Sequence, residues 1–237
     1  MVRQGGCVPH AHAGAARAVP LSRFRVGSAA MSPSLRIRPY RPDDRDAVYD
    51  ICVRTGAAGQ DARGLYRSDE LLPDVYAGPY LELEPHLAFV VDEGGRAVGY
   101  VLGTADTQAF VEAWRARWLP RVAGRHPPPV EPARTADERL IATLHHPEWM
   151  LAPELAPHPA HLHVDLLPHV QGAGYGRRLV ETFLSAVAAA GAPSLHLGTG
   201  NDNTRALRFY EHLGFQRLTV AGAVGTTYFW CPTAKRG

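Results

Sequence analysis

Cysteine, an excess of charge of either sign, and long apolar runs are all scarce in this 237-residue chain. Lys and Arg total 25 against 23 Asp and Glu, a formal charge of +2. So even a balance lacks the basic excess that nucleic-acid binding usually requires, and no nucleic-acid partner is expected. No apolar run approaches the roughly 18 residues needed to cross a bilayer, so no membrane span is expected. The three cysteines, Cys7, Cys52 and Cys231, are far apart and odd in number. They form neither a disulfide framework nor a C-x-x-C zinc site, and they suit a reducing cytoplasm. Hydrophobic residues make up 46% of the chain, enough for the core of one medium domain or two small ones.

Residues 1–31 are rich in Ala, Gly and Arg, include Arg3, Arg17, Arg23 and Arg25, and contain no acid. They lack the apolar core of a secretory signal. Residues 1–34 are therefore expected to be a flexible extension, or a stretch upstream of a true start at Met31, with a targeting role as the other reading. A single domain is expected over 35–237.

Leu35-Arg36-Ile37-Arg38 alternates as a strand, and Ala47, Val48, Ile51 and Cys52 recur at helical spacing until Gly56 and Gly59. A loop at 60–67 precedes a shorter helix over Ser68–Tyr76. Residues 87–92 and 97–103 read as a hairpin about the turn Glu93-Gly94-Gly95-Arg96. Phe110, Val111, Trp114 and Trp118 predict a helix over 107–122. The four prolines of 124–132 and the four of 147–159 predict irregular connections on either side of a helix over 134–146. These segments belong to an elaborated insertion, 104–160, since the next strand needs the earlier hairpin to complete a sheet.

The stretch that carries chemistry begins at strand 161–167. There Leu162, Val164 and Leu166 share one face, and His161, His163 and Asp165 share the other. Gln171-Gly172-Ala173-Gly174-Tyr175-Gly176-Arg177-Arg178 follows, and then Val180, Phe183, Leu184 and Val187 mark an amphipathic helix. A strand running through glycines into a helix start makes an anion site, because the first-turn N–H groups lack partners and the helix dipole adds positive potential. Glycines admit a diphosphate close to the backbone, and Arg177 and Arg178 add charge. A tight turn packed with small residues is the plainer reading. The spacing matches neither a Rossmann nor a Walker loop. A short strand at 194–197, a helix from Asn203 to Leu213 ended by Gly214, and a hairpin of 215–221 with 224–231 complete the chain.

Leu166-Leu167-Pro168-His169-Val170-Gln171-Gly172-Ala173-Gly174-Tyr175-Gly176 resembles the acetyl-CoA signature Q/R-x-x-G-x-G/A of the GNAT N-acetyltransferases. Asn203, Ala206, Phe209-Tyr210 and Gly214-Phe215 resemble that family's second signature, in the expected order. The resemblance covers about residues 35–231. Ile37-Arg38-Pro39-Tyr40, residues 99–106, Trp118-Leu119-Pro120 and Val164-Asp165-Leu166-Leu167 are similar, more narrowly, to the acetyltransferase-like C-terminal domain of eukaryotic O-GlcNAcases, where the glycine loop is degraded; here it is intact. No glycosidase domain is legible, so glycan hydrolysis is not implied.

The resemblance implies an α/β (α+β) GNAT fold, a mixed, mostly antiparallel sheet splayed at its centre with flanking helices. It implies acetyl-CoA in the splay, its pantetheine arm against Leu166 and Leu167, and the Leu166 N–H facing the thioester carbonyl. Amides from Gln171 through Gly172, Ala173, Gly174, Tyr175 and Gly176 to Arg177 would hold the diphosphate, with Arg178 nearby and Asn203 and Phe209 along the ligand. The implied partner is an amine acceptor, with Tyr210 as proton donor to the leaving thiolate and either Asp165 or Asp106 as base. His161 and His163 read equally well as ordinary strand residues. At about 13 Å between them along a strand, His161 and Asp165 cannot share one metal ion with His163. Trp114, Trp118, Tyr80 and Trp149 wall an acceptor pocket or belong to the core. An inactive acyl-CoA-binding module and an interaction scaffold are the alternatives to an enzyme.

Overall fold

The computed structural model describes residues 34–130 and 132–234. The expectations for the N-terminal extension and for Cys7 lie outside those residues. Seven strands form one sheet: β1 (Leu35–Pro39), β2 (Phe89–Glu93), β3 (Arg96–Thr104), β4 (Ala160–Leu166), β5 (Ser194–Gly200), β6 (Gln216–Leu218) and β7 (Thr226–Pro232). Their order is β1-β2-β3-β4-β5-β7-β6, antiparallel throughout except between β4 and β5. The β2–β3 turn puts Gly94 and Gly95 at φ of 60° and 97°, which a side chain would resist. Asp92 accepts the Gly95 N–H at 2.8 Å and also takes Arg38 Nε at 2.5 Å, and Arg38 grips Asp44 with both terminal nitrogens. This buried pair of carboxylates around one guanidinium fastens β1 to β2.

The parallel junction is the weak seam. β4 and β5 pair only at Ala160↔Leu195 and His161↔His196, whereas β5 stays paired with β7 from Ser194↔Pro232 to Gly200↔Thr226. Beyond His161 the two strands diverge and open a wedge. Leu167 N–H donates to Val98 O at 2.9 Å, in register with the Gly99↔Leu166 pair. Antiparallel bonding alternates along the strand, so the N–H and C=O of Leu166 point away from β3 and into the wedge.

One face of the sheet carries α7 (Tyr175–Ala189), which buries Leu179, Val180, Phe183 and Val187. A Cβ on Gly103 would stand 2.4 Å from Phe183 Cζ and 2.1 Å from the His161 carbonyl oxygen, so only glycine lets helix and strand close up there. The other face carries α1 (Arg45–Thr55), α2 (Leu71–Tyr76), α3 (Gly78–Leu83) and α4 (Thr107–Ala113). The helix predicted over 107–122 is continuous, passing through a π-helical turn at Trp114–Trp118 into α5 (Leu119–Val122). α6 (Ala136–His145) starts with a reciprocal capping box of Thr135 and Glu138. α8 (Thr204–His212) is capped by Asn203 and ended by Gly214 at φ 83°.

Three differences from the sequence-based expectations stand out, and one open alternative closes. The helix expected over Ser68–Tyr76 begins at Leu71, and α3 follows it unforeseen. β5 runs on to Gly200 because β7 pairs with its whole length. β6 is only Gln216–Leu218. Trp114 and Trp118 belong to the core: both rings are buried, and their indole N–H groups donate to Leu144 O at 3.1 Å and Asp74 O at 2.9 Å.

Candidate active site

β4 ends in a short 3-10 turn, Pro168–Val170, that delivers the chain to the start of α7. Gly172 and Gly174 take φ of 78° and 81°, conformations that turn successive amides the same way. Among the described residues, no acceptor bonds the backbone N–H groups from Gly172 to Arg177. They form a row of donors on a helix N-terminus, chemistry that suits a diphosphate. Gln171 is a correction to the expected row, since its own amide donates to Pro168 O at 3.2 Å. It contributes through its side chain, whose Nε2 donates to Leu166 O at 2.7 Å while its Oε1 accepts from Arg205. That bond and the one from Leu167 N–H to Val98 O fix the 166–167 peptide, next to the Leu166 N–H that aims into the wedge.

The other expected cofactor residues divide by location. Gly176 lies beneath Phe209 and Leu166, and a Cβ there would meet them at 3.2 and 3.3 Å. Leu167 is buried, Ala173 is exposed in the loop, and Arg177 is exposed. The Arg178 guanidinium lies 4.8 Å from the centre of the Tyr175 ring, and the Tyr175 hydroxyl donates to Leu35 O at 2.9 Å, tying the helix start to β1. Asn203 Oδ1 accepts the Ala206 N–H at 3.0 Å, so that side chain caps α8.

Tyr210 projects from α8 among Phe209, Phe215 and Phe229. Burial, and then the charge of Asp165, push its pKa up, so it holds its proton at neutral pH. Asp165 accepts from the Tyr100 hydroxyl at 2.7 Å. Burial pushes its pKa up to about 6, against the lowering effect of the hydrogen bond from Tyr100. Asp165 is thus close enough for its charge to bear on Tyr210. Asp106 is not: it is exposed, caps α4 by accepting the Ala109 N–H at 3.1 Å, and does not line the cavity described next.

On the α1–α6 face the wedge opens into a cavity of about 550 Å³. His161 and His163 of β4, His196 of β5, Tyr76 and Trp149 are among its lining residues. Sequence reasoning placed His161 and His163 on the Asp165 face but gave them no task. Tyr80, expected either to wall an acceptor pocket or to belong to the core, comes from α3 and stands with its hydroxyl 2.7 Å from His161 Nε2 and 3.0 Å from His163 Nε2. Among the described residues no three His, Cys, Asp or Glu side chains converge on a metal position.

The sequence model of the acetyltransferase (GNAT) family matches residues 45–215. Protein O-GlcNAcase of Rattus norvegicus is 29% identical over 182 residues, which span 75% of this chain and 20% of that protein. The chain thus spans about a fifth of the length of that relative. The crystal structure of SsHAT is 55% identical, with 86% of this chain and 100% of that chain covered at a TM-score of 0.83. The structure of yncA, a putative acetyltransferase from Salmonella typhimurium with its cofactor acetyl-CoA, shares the fold at 16% identity and a TM-score of 0.50, with 86% of this chain and 96% of that one covered.

Proposed function

The chain belongs to the GNAT acetyltransferase family, and from that premise we propose that it moves acetyl from acetyl-CoA to a primary amine by direct attack. The observation that carries this reading is the run of unbonded amides from Gly172 to Arg177, continuous with a wedge into which Leu166 aims its N–H. When bound, acetyl-CoA supplies an activated acetyl thioester. The amide row holds the diphosphate. The Leu166 N–H, steadied through Gln171, stabilises negative charge developing on the carbonyl oxygen, a role worth roughly 3–4 kcal/mol in other enzymes. The Tyr210 hydroxyl bonds to no group among the described residues, and no buried side-chain oxygen there lacks a partner, so its oxygen is not sealed off and its proton is free to be given. In this reading it gives a proton to the departing sulfur.

Asp165, beside Tyr100, holds negative charge near the reacting end and favours the protonated form of Tyr210. A cytoplasmic location belongs to the same reading, supported by the buried free thiols of Cys52 and Cys231. Among the described residues no helix is long and apolar enough to cross a membrane.

Calorimetry with acetyl-CoA and a thiol-release assay over an amine panel test the proposal. Wild type should bind and turn over, and Tyr210→Phe should bind within about twofold of wild type while kcat falls on the order of 10²-fold, the usual share of a general acid. Tight binding without turnover of any amine would instead assign a binding module.

A further inference from the structure

Proton counting fixes which atom each imidazole turns toward the cavity. Thr107 has one hydroxyl proton, and the Pro159 carbonyl 2.7 Å away can only accept it. Thr107 Oγ1 therefore accepts from His161 Nδ1 at 2.7 Å. Burial, with His196 and His163 close by, holds His161 neutral, so its Nε2 is a bare lone pair. The Tyr80 hydroxyl donates to that lone pair. Its proton thus committed, Tyr80 accepts from His163 Nε2. His163 is also neutral at pH 7, pushed down to about 4 by burial and then by His196, which leaves its Nδ1 bare. His196 Nδ1 donates to His158 O at 2.5 Å, which leaves its Nε2 bare.

Neither bare nitrogen has a partner among the described residues, and no buried side-chain nitrogen there is unpartnered. Both are therefore open to the cavity that their rings line. Among the described residues no Asp or Glu lines that cavity, whose walls include Tyr76, Met150, Trp149 and Tyr228.

We propose that His163 Nδ1 and His196 Nε2 seat the acceptor nitrogen, that His163 takes its proton, and that the acceptor is a monoamine on an uncharged apolar or aromatic body. This rests on the transferase reading and names its acceptor side. Two fixed lone pairs match the N–H donors of a primary amine. A second positive charge on the acceptor would be buried with no carboxylate among the described residues to meet it, which disfavours binding. In the transfer, the acceptor nitrogen bonds to the acetyl carbonyl carbon. The carbon–sulfur bond breaks with its electron pair going to sulfur, Tyr210 supplies the thiol proton, and the surplus proton on nitrogen goes to His163 Nδ1. Thr107, His161 and Tyr80 are positioning residues that hold His163 in the tautomer able to accept.

Two-bond ¹H–¹⁵N spectra of the histidine rings in the intact protein test the arrangement directly. His163 should be protonated at Nε2, and His161 and His196 at Nδ1. Tyr80→Phe should mix the His163 tautomers, and His163→Gln should lower kcat toward 2-phenylethylamine at least tenfold with acetyl-CoA affinity unchanged. 2-Phenylethylamine should shift the His163 and His196 resonances and be acetylated in preference to spermidine or a lysine peptide. His163 protonated at Nδ1, or a preference for spermidine, overturns the proposal. Failure to bind acetyl-CoA overturns the transferase reading instead, and the ring spectra and amine titration remain decisive for the seat.

Discussion

At Gly174 the demand is purely conformational: φ is 81°, and a Cβ would meet nothing within 4 Å. Gly174→Ala therefore places an L side chain in a left-handed conformation at about 1–2 kcal/mol. Either the loop keeps its shape at that cost to stability or it relaxes and the amides lose their common aim. Acetyl-CoA affinity should fall about tenfold as measured by calorimetry, and an unchanged Kd at unchanged melting temperature would show that the cradle does not depend on this turn. Asp165 tests a different term. Its folded-state pKa of about 6 lies above the ordinary value of 3.8, so ionising it in the fold costs stability. The associated stability is complete below about pH 4 and is lost as pH rises through 6. Asp165→Asn should match wild type in chemical stability near pH 4 and exceed it by about 1–3 kcal/mol at pH 7.5, and a difference independent of pH would refute the burial cause.

Among the elements, Asp106 shows how a residue can look catalytic in sequence and be structural in space. It ends the segment that resembles the family and is acidic, yet its carboxylate is spent on the first turn of α4. Asp106→Ala should cost about 1 kcal/mol of stability, the usual loss of an N-cap, and leave turnover intact. A kcat loss beyond twofold with stability unchanged would return it to the catalytic list. The strand–glycine–helix passage from β4 to α7 was legible because its signals are local: alternation, glycines and a helical stripe within one stretch of chain. The β2–β3 hairpin was legible for the same reason. α3 was not: it is only six residues long and opens on Gly78 and Pro79, which carry no helical stripe, although a proline is at ease in a helix's first turn. The acceptor side was least legible: Tyr80, Thr107, His163 and His196 come from four elements, and only the folded sheet brings them together.

For the whole molecule, the seam between β4 and β5 concentrates groups kept neutral against their solution tendency. His161, His163 and His196 all have lowered pKa values, the last two to about 4, and desolvation is the leading cause for each. In the unfolded chain they titrate near 6.5, so between about pH 6.5 and 4 the unfolded state binds protons that the fold refuses. Their contribution is complete above pH 6.5 and is lost as pH falls toward 4. Asp165 opposes them over part of that window, one carboxylate against three imidazoles. Asp44 and Asp92, both lowered below the carboxylate value in the Arg38 cluster, add a further loss only below about pH 4, where the unfolded chain protonates first. Acid denaturation should therefore come in two parts: a decline in urea midpoint from pH 7 to 5 set by the imidazoles, and a steeper one below pH 4 set by the Arg38 cluster. A His163→Gln, His196→Gln double variant should flatten the first part and leave the second. A wild-type midpoint constant from pH 7 to 5 would mean that the imidazoles at the seam take up protons as freely as in water, and the lone pairs assigned to the cavity would then be filled.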